Sequence, residues 1–212
     1  MKNMRLPIGI SDFKKLIEGE YLFADKTLFI KDIMNDGSEV IVITRPRRFG
    51  KTLNLSMLYY FLGKNHFTDK KENLFKGLKI TEDEAFCKKH QHQYPVIFIS
   101  FKDIKETNYK NAYAGIKELI SALYEEHSYL LEGDYLLESE KNKFTALLNE
   151  QASLTHVKAA IKQLSLYMWK KFKKSPIILI DEYDTPIQEA YLHNYYDKMI
   201  SLMRGIFGKA LT

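Results

Sequence analysis

Apolar residues in this chain occur in two kinds of run, and their alternation predicts an α/β fold. Short continuous runs rich in β-branched and aromatic residues are typical of buried strands, and they lie at 40–44, 94–101 and 177–180. Other segments repeat apolar residues every three or four positions, as amphipathic helices do; they are 11–18, 26–34, 53–62, 109–123, 157–172 and 190–207. Strands that alternate with helices predict a three-layer domain, a parallel sheet with helices on both faces.

The first predicted strand leads into a segment with the pattern of a phosphate-binding loop. Residues 40–52 read VIVITRPRRFGKT, so a basic turn and Gly50-Lys51-Thr52 separate the strand from the next helix. In such a loop, backbone N–H groups and the helix N-terminus hold a polyphosphate. Lys51 would reach the β- and γ-phosphates, and the Thr52 hydroxyl would bind Mg²⁺. The general motif begins with glycine, whereas this chain has Arg45.

The last predicted strand, Ile177–Ile180, ends in two adjacent acids, Asp181 and Glu182. A nucleotide hydrolase needs one carboxylate at a strand end to support Mg²⁺ and another to polarise the attacking water. Asp181 suits the first role and Glu182 the second. Acids also commonly end a strand where the chain meets solvent, but their combination with a strand that leads to Gly-Lys-Thr favours a nucleotide site.

Several segments of the chain resemble the AAA-ATPase-like family of bacterial P-loop proteins. They are Gly9, YLFADKT at 21–27, RPRRFGKT at 45–52 and IDEYDTP at 180–186. The similarity extends over essentially all 212 residues. In that family the first position of the phosphate loop is commonly not glycine, so Arg45 agrees with the resemblance. Longer members often carry a C-terminal nuclease-like domain of the PD-(D/E)XK type, for which we expect no room here.

The resemblance implies a P-loop domain that binds ATP and Mg²⁺ and hydrolyses ATP. Asp181 and Glu182 would be the catalytic residues, and Thr52 and Asp181 would support the metal ion. The segment 7–12 would lie against the adenine. The expected cofactor-binding residues are Arg47, Arg48, Phe49, Gly50, Lys51, Thr52 and Leu53.

Composition predicts one cytoplasmic domain over 1–212, with a helical lead-in at 1–38 and a nucleotide-binding core at 39–212. The chain is 45% hydrophobic, which suffices for a sizeable core. A single cysteine, Cys87, excludes an internal disulfide framework, and no apolar run has the length of a signal peptide or membrane span. The net charge of +5 does not by itself indicate DNA binding. A homo-oligomer and a partner protein both stay open.

Two further alternatives stay open in the sequence. One of Arg45, Arg47 and Arg48 would stabilise charge on the phosphate oxygens, or the three would form a solvated basic loop. The chain would either hydrolyse ATP or act as a nucleotide-dependent switch or interaction module with little turnover. A kinase that passes phosphate to a small molecule is disfavoured, because an Asp-Glu pair suits the activation of water.

The wider P-loop ATPase class also implies an additional parallel strand between the phosphate-loop strand and the Asp-Glu strand. It follows the Asp-Glu motif in sequence, yet after Pro186 the pattern predicts helix up to Gly208 and no β-branched run. We therefore expect an incomplete sheet, in which 40–44 and 177–180 expose apolar faces. Weak ATP binding, little or no turnover and poor solubility would follow, as in an inactive fragment. A longer form, or a partner that donates a strand, would rescue it.

Overall fold

The computed structural model describes residues 5–44, 46, 49–64 and 74–210, without the side chains of 209 and 210. Contacts within the chain divide it into two compact units, 1–96 and 97–212. The predicted lead-in therefore shares a unit with the helix that follows the phosphate loop, whereas Asp181 and Glu182 belong to the other unit. The expectation of a single domain over 1–212 stays a prediction.

The first unit is built around aromatic side chains. The ring of Phe75 stacks on Phe13 with 4.9 Å between centroids and meets the edge of Phe61 at 5.0 Å. All three are buried, and such contacts combine a large apolar area with favourable ring geometry. Phe13 and Phe61 lie on different helices, which are thereby fixed to each other. The helices are α1 (Phe13–Glu18), α2 (Phe29–Asn35), α3 (Lys51–Leu62) and α4 (Glu84–His90), with a 3₁₀ helix at Lys79–Glu82.

The second unit is mostly helical. Tyr124 is fully buried, and its hydroxyl donates a hydrogen bond of 2.8 Å to the carbonyl of Ala160, which satisfies the polar end of a core side chain. A 3₁₀ helix spans Ser128–Leu131. The other elements, in order, are β1 (Val96–Ser100), α5 (Tyr109–Glu126), α6 (Glu138–Leu148), α7 (Leu154–Phe172), β2 (Ile177–Asp181), α8 (Thr185–Leu192) and α9 (Tyr196–Ala210).

Strands β1 and β2 pair in parallel, and among the described residues they form a two-stranded sheet. The helices of the second unit cover one face of it, because alternate side chains of both strands enter the same helical core. These side chains are Ile97 and Ile99 of β1 and Ile178 and Ile180 of β2. The coarse prediction of an α/β fold with a parallel sheet is thus supported. The full three-layer sheet stays a prediction.

The prediction of a buried strand at 40–44 is wrong for this structure. The segment has no strand pairing, and the exposed fractions of Val40, Ile41 and Val42 are 49%, 38% and 63%. A β-branched run becomes a buried strand only when neighbouring strands satisfy its backbone groups, and no described residue does so here. The segment exposes its apolar residues, as expected for an incomplete sheet, but not as the face of a strand.

Most predicted helices are confirmed within a few residues. The predicted helix at 190–207 is two helices, because the chain turns at Asn194, whose φ is 60°, between α8 and α9. Helix α6 was not predicted. Its apolar residues are few and it begins with charged residues, so its hydrophobic pattern is weak, although Phe144 and Leu147 are buried.

Candidate functional site

The phosphate-loop pattern forms the start of α3. Gly50 precedes the helix in the left-handed conformation, with φ 73° and ψ 25°, and its carbonyl accepts the first helical bond from the N–H of Asn54 at 2.9 Å. A Cβ at Gly50 would meet no atom within 4 Å, so glycine is favoured here by backbone conformation and not by space. The helix begins at Lys51, two residues earlier than the apolar pattern indicates.

The N-terminus of α3 has the properties of an anion-binding helix end. No side-chain oxygen of the described residues caps it, and its first turn holds no acidic residue. Lys51, Thr52 and Leu53 are half-buried, and Phe49 is exposed. Uncapped N–H groups and the positive end of the helix dipole favour a negative ligand. Arg45, Arg47 and Arg48, the other candidates of this segment, lie outside the described residues.

Asp12 holds this helix against the N-terminal segment. One carboxylate oxygen caps α1 by accepting a bond of 2.8 Å from the N–H of Lys15. The other accepts bonds from the hydroxyls of Tyr60, at 2.9 Å, and Ser56, at 3.4 Å, both on α3. The Ser56 hydroxyl in turn accepts the N–H of Phe13 at 2.9 Å. The hydrophobic pattern did not predict this network, although the serine among the apolar residues of α3 indicates a polar contact there.

The Asp25-Lys26-Thr27 segment has a structural role in the first unit. One carboxylate oxygen of Asp25 accepts bonds from the N–H and hydroxyl of Thr27, and the other accepts the N–H of Lys79 at 2.8 Å. The hydroxyl of Thr27 accepts the N–H of Ile80 at 3.1 Å. Burial alone would raise the pKa of Asp25, but these hydrogen bonds outweigh it and hold the pKa below its usual value. The segment thus fixes the 3₁₀ helix at 79–82.

Asp181 is the last residue of β2 and is 3% exposed. Its carbonyl accepts a bond of 3.0 Å from the N–H of Phe101, which continues the pairing with β1. Its carboxylate oxygen Oδ2 is buried and has no hydrogen-bond partner among the described residues. Buried carboxylate oxygens are normally hydrogen-bonded or bound to a cation, because an unpaired one is costly. Asp181 therefore ends the strand with a buried acceptor that no described donor satisfies.

Glu182 follows at the surface in a strained conformation. Its φ of 48° lies in the left-handed region, which residues other than glycine and asparagine seldom adopt. Its carboxylate accepts a bond of 3.3 Å from the hydroxyl of Thr185, and its carbonyl accepts the N–H of Thr185 at 3.1 Å. The strand end thus presents one buried and one exposed carboxylate in adjacent positions, and Thr185 at the start of α8 contacts the exposed one.

The structure brings the predicted residues together in two groups. Gly50, Lys51 and Thr52 meet at the start of α3 in the first unit, and Asp181 and Glu182 meet at the end of β2 in the second. A joint site of the two groups stays a prediction. Within the described part of the chain, no cluster of three or more His, Cys, Asp or Glu side chains could hold a metal ion.

Comparison with known proteins identifies a family. A family model described as "Predicted AAA-ATPase" matches residues 7–212. An uncharacterised protein of Azotobacter chroococcum mcd 1, named for the 5′ region of vnfD, is 37% identical over 102 residues. That match covers 48% of this chain and 18% of the relative. No solved structure matches significantly. Among the described residues, no helix has the length and apolar character needed to cross a membrane.

Proposed function

Because this chain belongs to the predicted AAA-ATPase family, we propose that it binds ATP with Mg²⁺ and hydrolyses it. The phosphates would lie at the N-terminus of α3, where Gly50 sets the turn and Lys51 supplies the cation. Asp181 would support Mg²⁺, and Glu182 would orient and deprotonate the attacking water. No protein nucleophile is needed, since positioning and electrostatic stabilisation carry this chemistry.

The observation that carries this proposal is the buried Oδ2 of Asp181 at the end of β2, which has no hydrogen-bond partner among the described residues. A strand that ends in a buried carboxylate without a partner is unfavourable for a purely structural protein. It suits a protein that binds a hydrated cation at that carboxylate. The uncapped start of α3, with glycine in the left-handed conformation, supports the same function from the phosphate side.

Mg²⁺ fits the donors that this chain offers. The ion prefers oxygen ligands and is commonly held by one or two protein groups, with substrate phosphates and water completing its shell. The Thr52 hydroxyl is a ligand of this kind, and the Asp181 carboxylate would hold the shell of Mg²⁺ through a water. The lack of a larger cluster of ligating side chains among the described residues agrees with a metal that arrives with the nucleotide. When bound, Mg²⁺ would neutralise charge on the phosphate oxygens.

Substitution of Lys51 tests the binding step. Lys51→Ala should abolish stabilisation of the protein by Mg-ATP in a thermal unfolding experiment and leave the unfolding temperature without nucleotide unchanged. Lys110 is a matched control, because it lies in the first turn of α5, a helix whose N-terminus is capped by Asn108. Lys110→Ala should keep full stabilisation by ATP. Stabilisation that persists in Lys51→Ala would rule out the phosphate-loop assignment.

Substitution of the acids tests the roles at the end of β2. Asp181→Asn should weaken binding of ATP in the presence of Mg²⁺ and leave binding in EDTA unchanged. Glu182→Gln keeps shape and hydrogen bonding but lacks the base, so turnover should fall by ~10²-fold or more with ATP binding intact. Hydrolysis at the parent rate in Glu182→Gln would show that Glu182 is not the base.

A nucleotide-dependent switch with little turnover is the second candidate. The contact between Thr185 and Glu182 favours it, because a carboxylate that is bonded to its own helix start is less available to a water. Steady-state turnover separates the two functions. ATP binding without measurable phosphate release would establish the switch, and sustained release would establish the ATPase.

A further inference from the structure

Ser100 lies beside Asp181 in the sheet. Strands β1 and β2 have equal length, and the bond from the N–H of Phe101 to the carbonyl of Asp181 places Ser100 level with Asp181. In a parallel pair, residues at the same level direct their side chains to the same face. The hydroxyl of Ser100 and the carboxylate of Asp181 therefore project side by side from the ends of neighbouring strands.

This face is the one that the helical core of the second unit does not use. Ile99 and Ile180, the preceding residues of the two strands, both pack in that core. Successive residues of a strand alternate between faces, so Ser100 and Asp181 point the other way. Packing in the helical core of the second unit therefore does not account for the burial of either polar side chain.

Both side chains end in a buried oxygen without a hydrogen-bond partner among the described residues, Oγ of Ser100 and Oδ2 of Asp181. Adjacent strands lie about 4.8 Å apart, so the two side chains are neighbours. They nevertheless do not bond to each other, although a hydroxyl can donate and a carboxylate can accept. A single group that donates a hydrogen bond to each of these two oxygens would satisfy both of them.

We propose that Ser100 and Asp181 jointly accept the two protons of one water in the hydration shell of the Mg²⁺ that enters with ATP. Ser100 is then a positioning residue for the metal and does not touch the reacting atoms. A water bound to Mg²⁺ is a strong donor with two protons, and the two oxygens supply two acceptors at one strand level. The inference rests on the proposed function, since it needs Mg-ATP as the ligand.

The test measures metal dependence and not turnover alone. For each variant, Mg²⁺ is titrated at fixed ATP and the concentration that gives half of the ATP-induced rise in unfolding temperature is recorded. Mn²⁺ bound in the presence of ATP is counted separately by electron paramagnetic resonance. Ser100→Ala should raise the half-saturating Mg²⁺ concentration by ~10-fold, the usual effect of losing a group that orients a metal ligand. Binding of ATP in EDTA should not change.

Matched variants separate this role from a structural one. Ser100→Thr and Ser100→Val have nearly the same shape, and the Thr variant alone keeps a hydroxyl, so it alone should keep the parent Mg²⁺ dependence. Ser121 is a control with a satisfied hydroxyl, which donates to the carbonyl of Leu148. Ser121→Ala should lower the unfolding temperature and leave the Mg²⁺ dependence unchanged. Ser100→Ala should not lower the unfolding temperature, because it removes a buried group that has no partner among the described residues.

The outcomes distinguish this inference from the proposed function. If the parent protein shows no stabilisation by Mg-ATP, the proposed function fails and Ser100 has no metal to position. If the parent is stabilised and Ser100→Ala has the same Mg²⁺ dependence, the proposed function stands and the role of Ser100 is overturned. If the two larger variants do not fold, Ser100→Ala decides alone, since it only removes an atom.

Discussion

The hydroxyl of Thr185 donates a hydrogen bond of 3.3 Å to the carboxylate of Glu182, three residues earlier in the chain. Glu182 follows β2 and Thr185 begins α8, so the bond links the exposed acid of the strand end to the first residue of the next helix. The N–H of Thr185 also donates to the carbonyl of Glu182, at 3.1 Å. Thr185 is therefore the residue that fixes the direction of the proposed base.

Loss of the Thr185 hydroxyl should affect turnover and not nucleotide binding. The bond is exposed and long, so we expect it to contribute about 1 kcal/mol to orienting Glu182, equivalent to a ~5-fold loss of turnover in Thr185→Val. Thr185→Ser retains the hydroxyl and should keep turnover near the parent value. A higher rate in Thr185→Val would instead show that the bond restrains the base, as expected of a switch.

The backbone strain at Glu182 should appear as a difference in stability between two small substitutions. Glu182→Gly and Glu182→Ala both remove the carboxylate, but glycine alone adopts a φ of 48° without cost. The Gly variant should be more stable than the Ala variant by ~1 kcal/mol in denaturant unfolding, and both should lose turnover. Equal stabilities would mean that the turn changes conformation when Glu182 is replaced.

Local sequence patterns predicted the elements that carry the two halves of the candidate site. The alignment of the two strands depends on non-local pairing and was not predicted. Gly-Lys-Thr after an apolar run was enough to predict a helix that begins near Leu53, two residues later than the structure has it, and the position of Asp181 at a strand end followed from its neighbours alone. The level of Ser100 with Asp181 depends on the register of strands that lie about eighty residues apart, which no local pattern reveals.

Two other features show the same difference between local patterns, which can be read from the sequence, and non-local pairing, which cannot. The bonds of Asp25 with Thr27 were accessible in principle, because Asp-x-Thr is a local pattern in which an aspartate accepts bonds from the second following residue. The exposure of the segment 40–44 agrees with the expectation of an incomplete sheet, but its lack of strand pairing was not predicted, since a β-branched run forms a strand only where a neighbouring strand pairs with it.

Acid should remove the contribution of Asp25 to stability. Because the pKa of Asp25 is lowered in the folded state, its stabilisation is complete above the ordinary pKa of 3.8 and is lost as the pH falls from that value through the folded pKa. Asp25→Asn should therefore be less stable than the parent at neutral pH, and its unfolding free energy should decline less between pH 5 and 3 (about the range of carboxylate titration). Asp103→Asn, at an exposed carboxylate, should behave as the parent does.

A charge at Val42 tests whether the segment 40–44 is exposed in solution. Val42 is 63% exposed here, so Val42→Lys should change the unfolding free energy by less than ~0.5 kcal/mol, as is usual for surface substitutions. Because exposed β-branched runs promote association between chains, the variant should also stay monomeric at higher concentration, measured by light scattering. Leu192→Lys adds the same charge at another exposed apolar residue, 66% exposed in α8, and controls for charge alone. A lysine cannot be buried without a partner unless the unfolding free energy falls by several kcal/mol. If Val42→Lys lowers the unfolding free energy by that much and Leu192→Lys does not, the segment is a buried strand in solution, as its sequence pattern predicts.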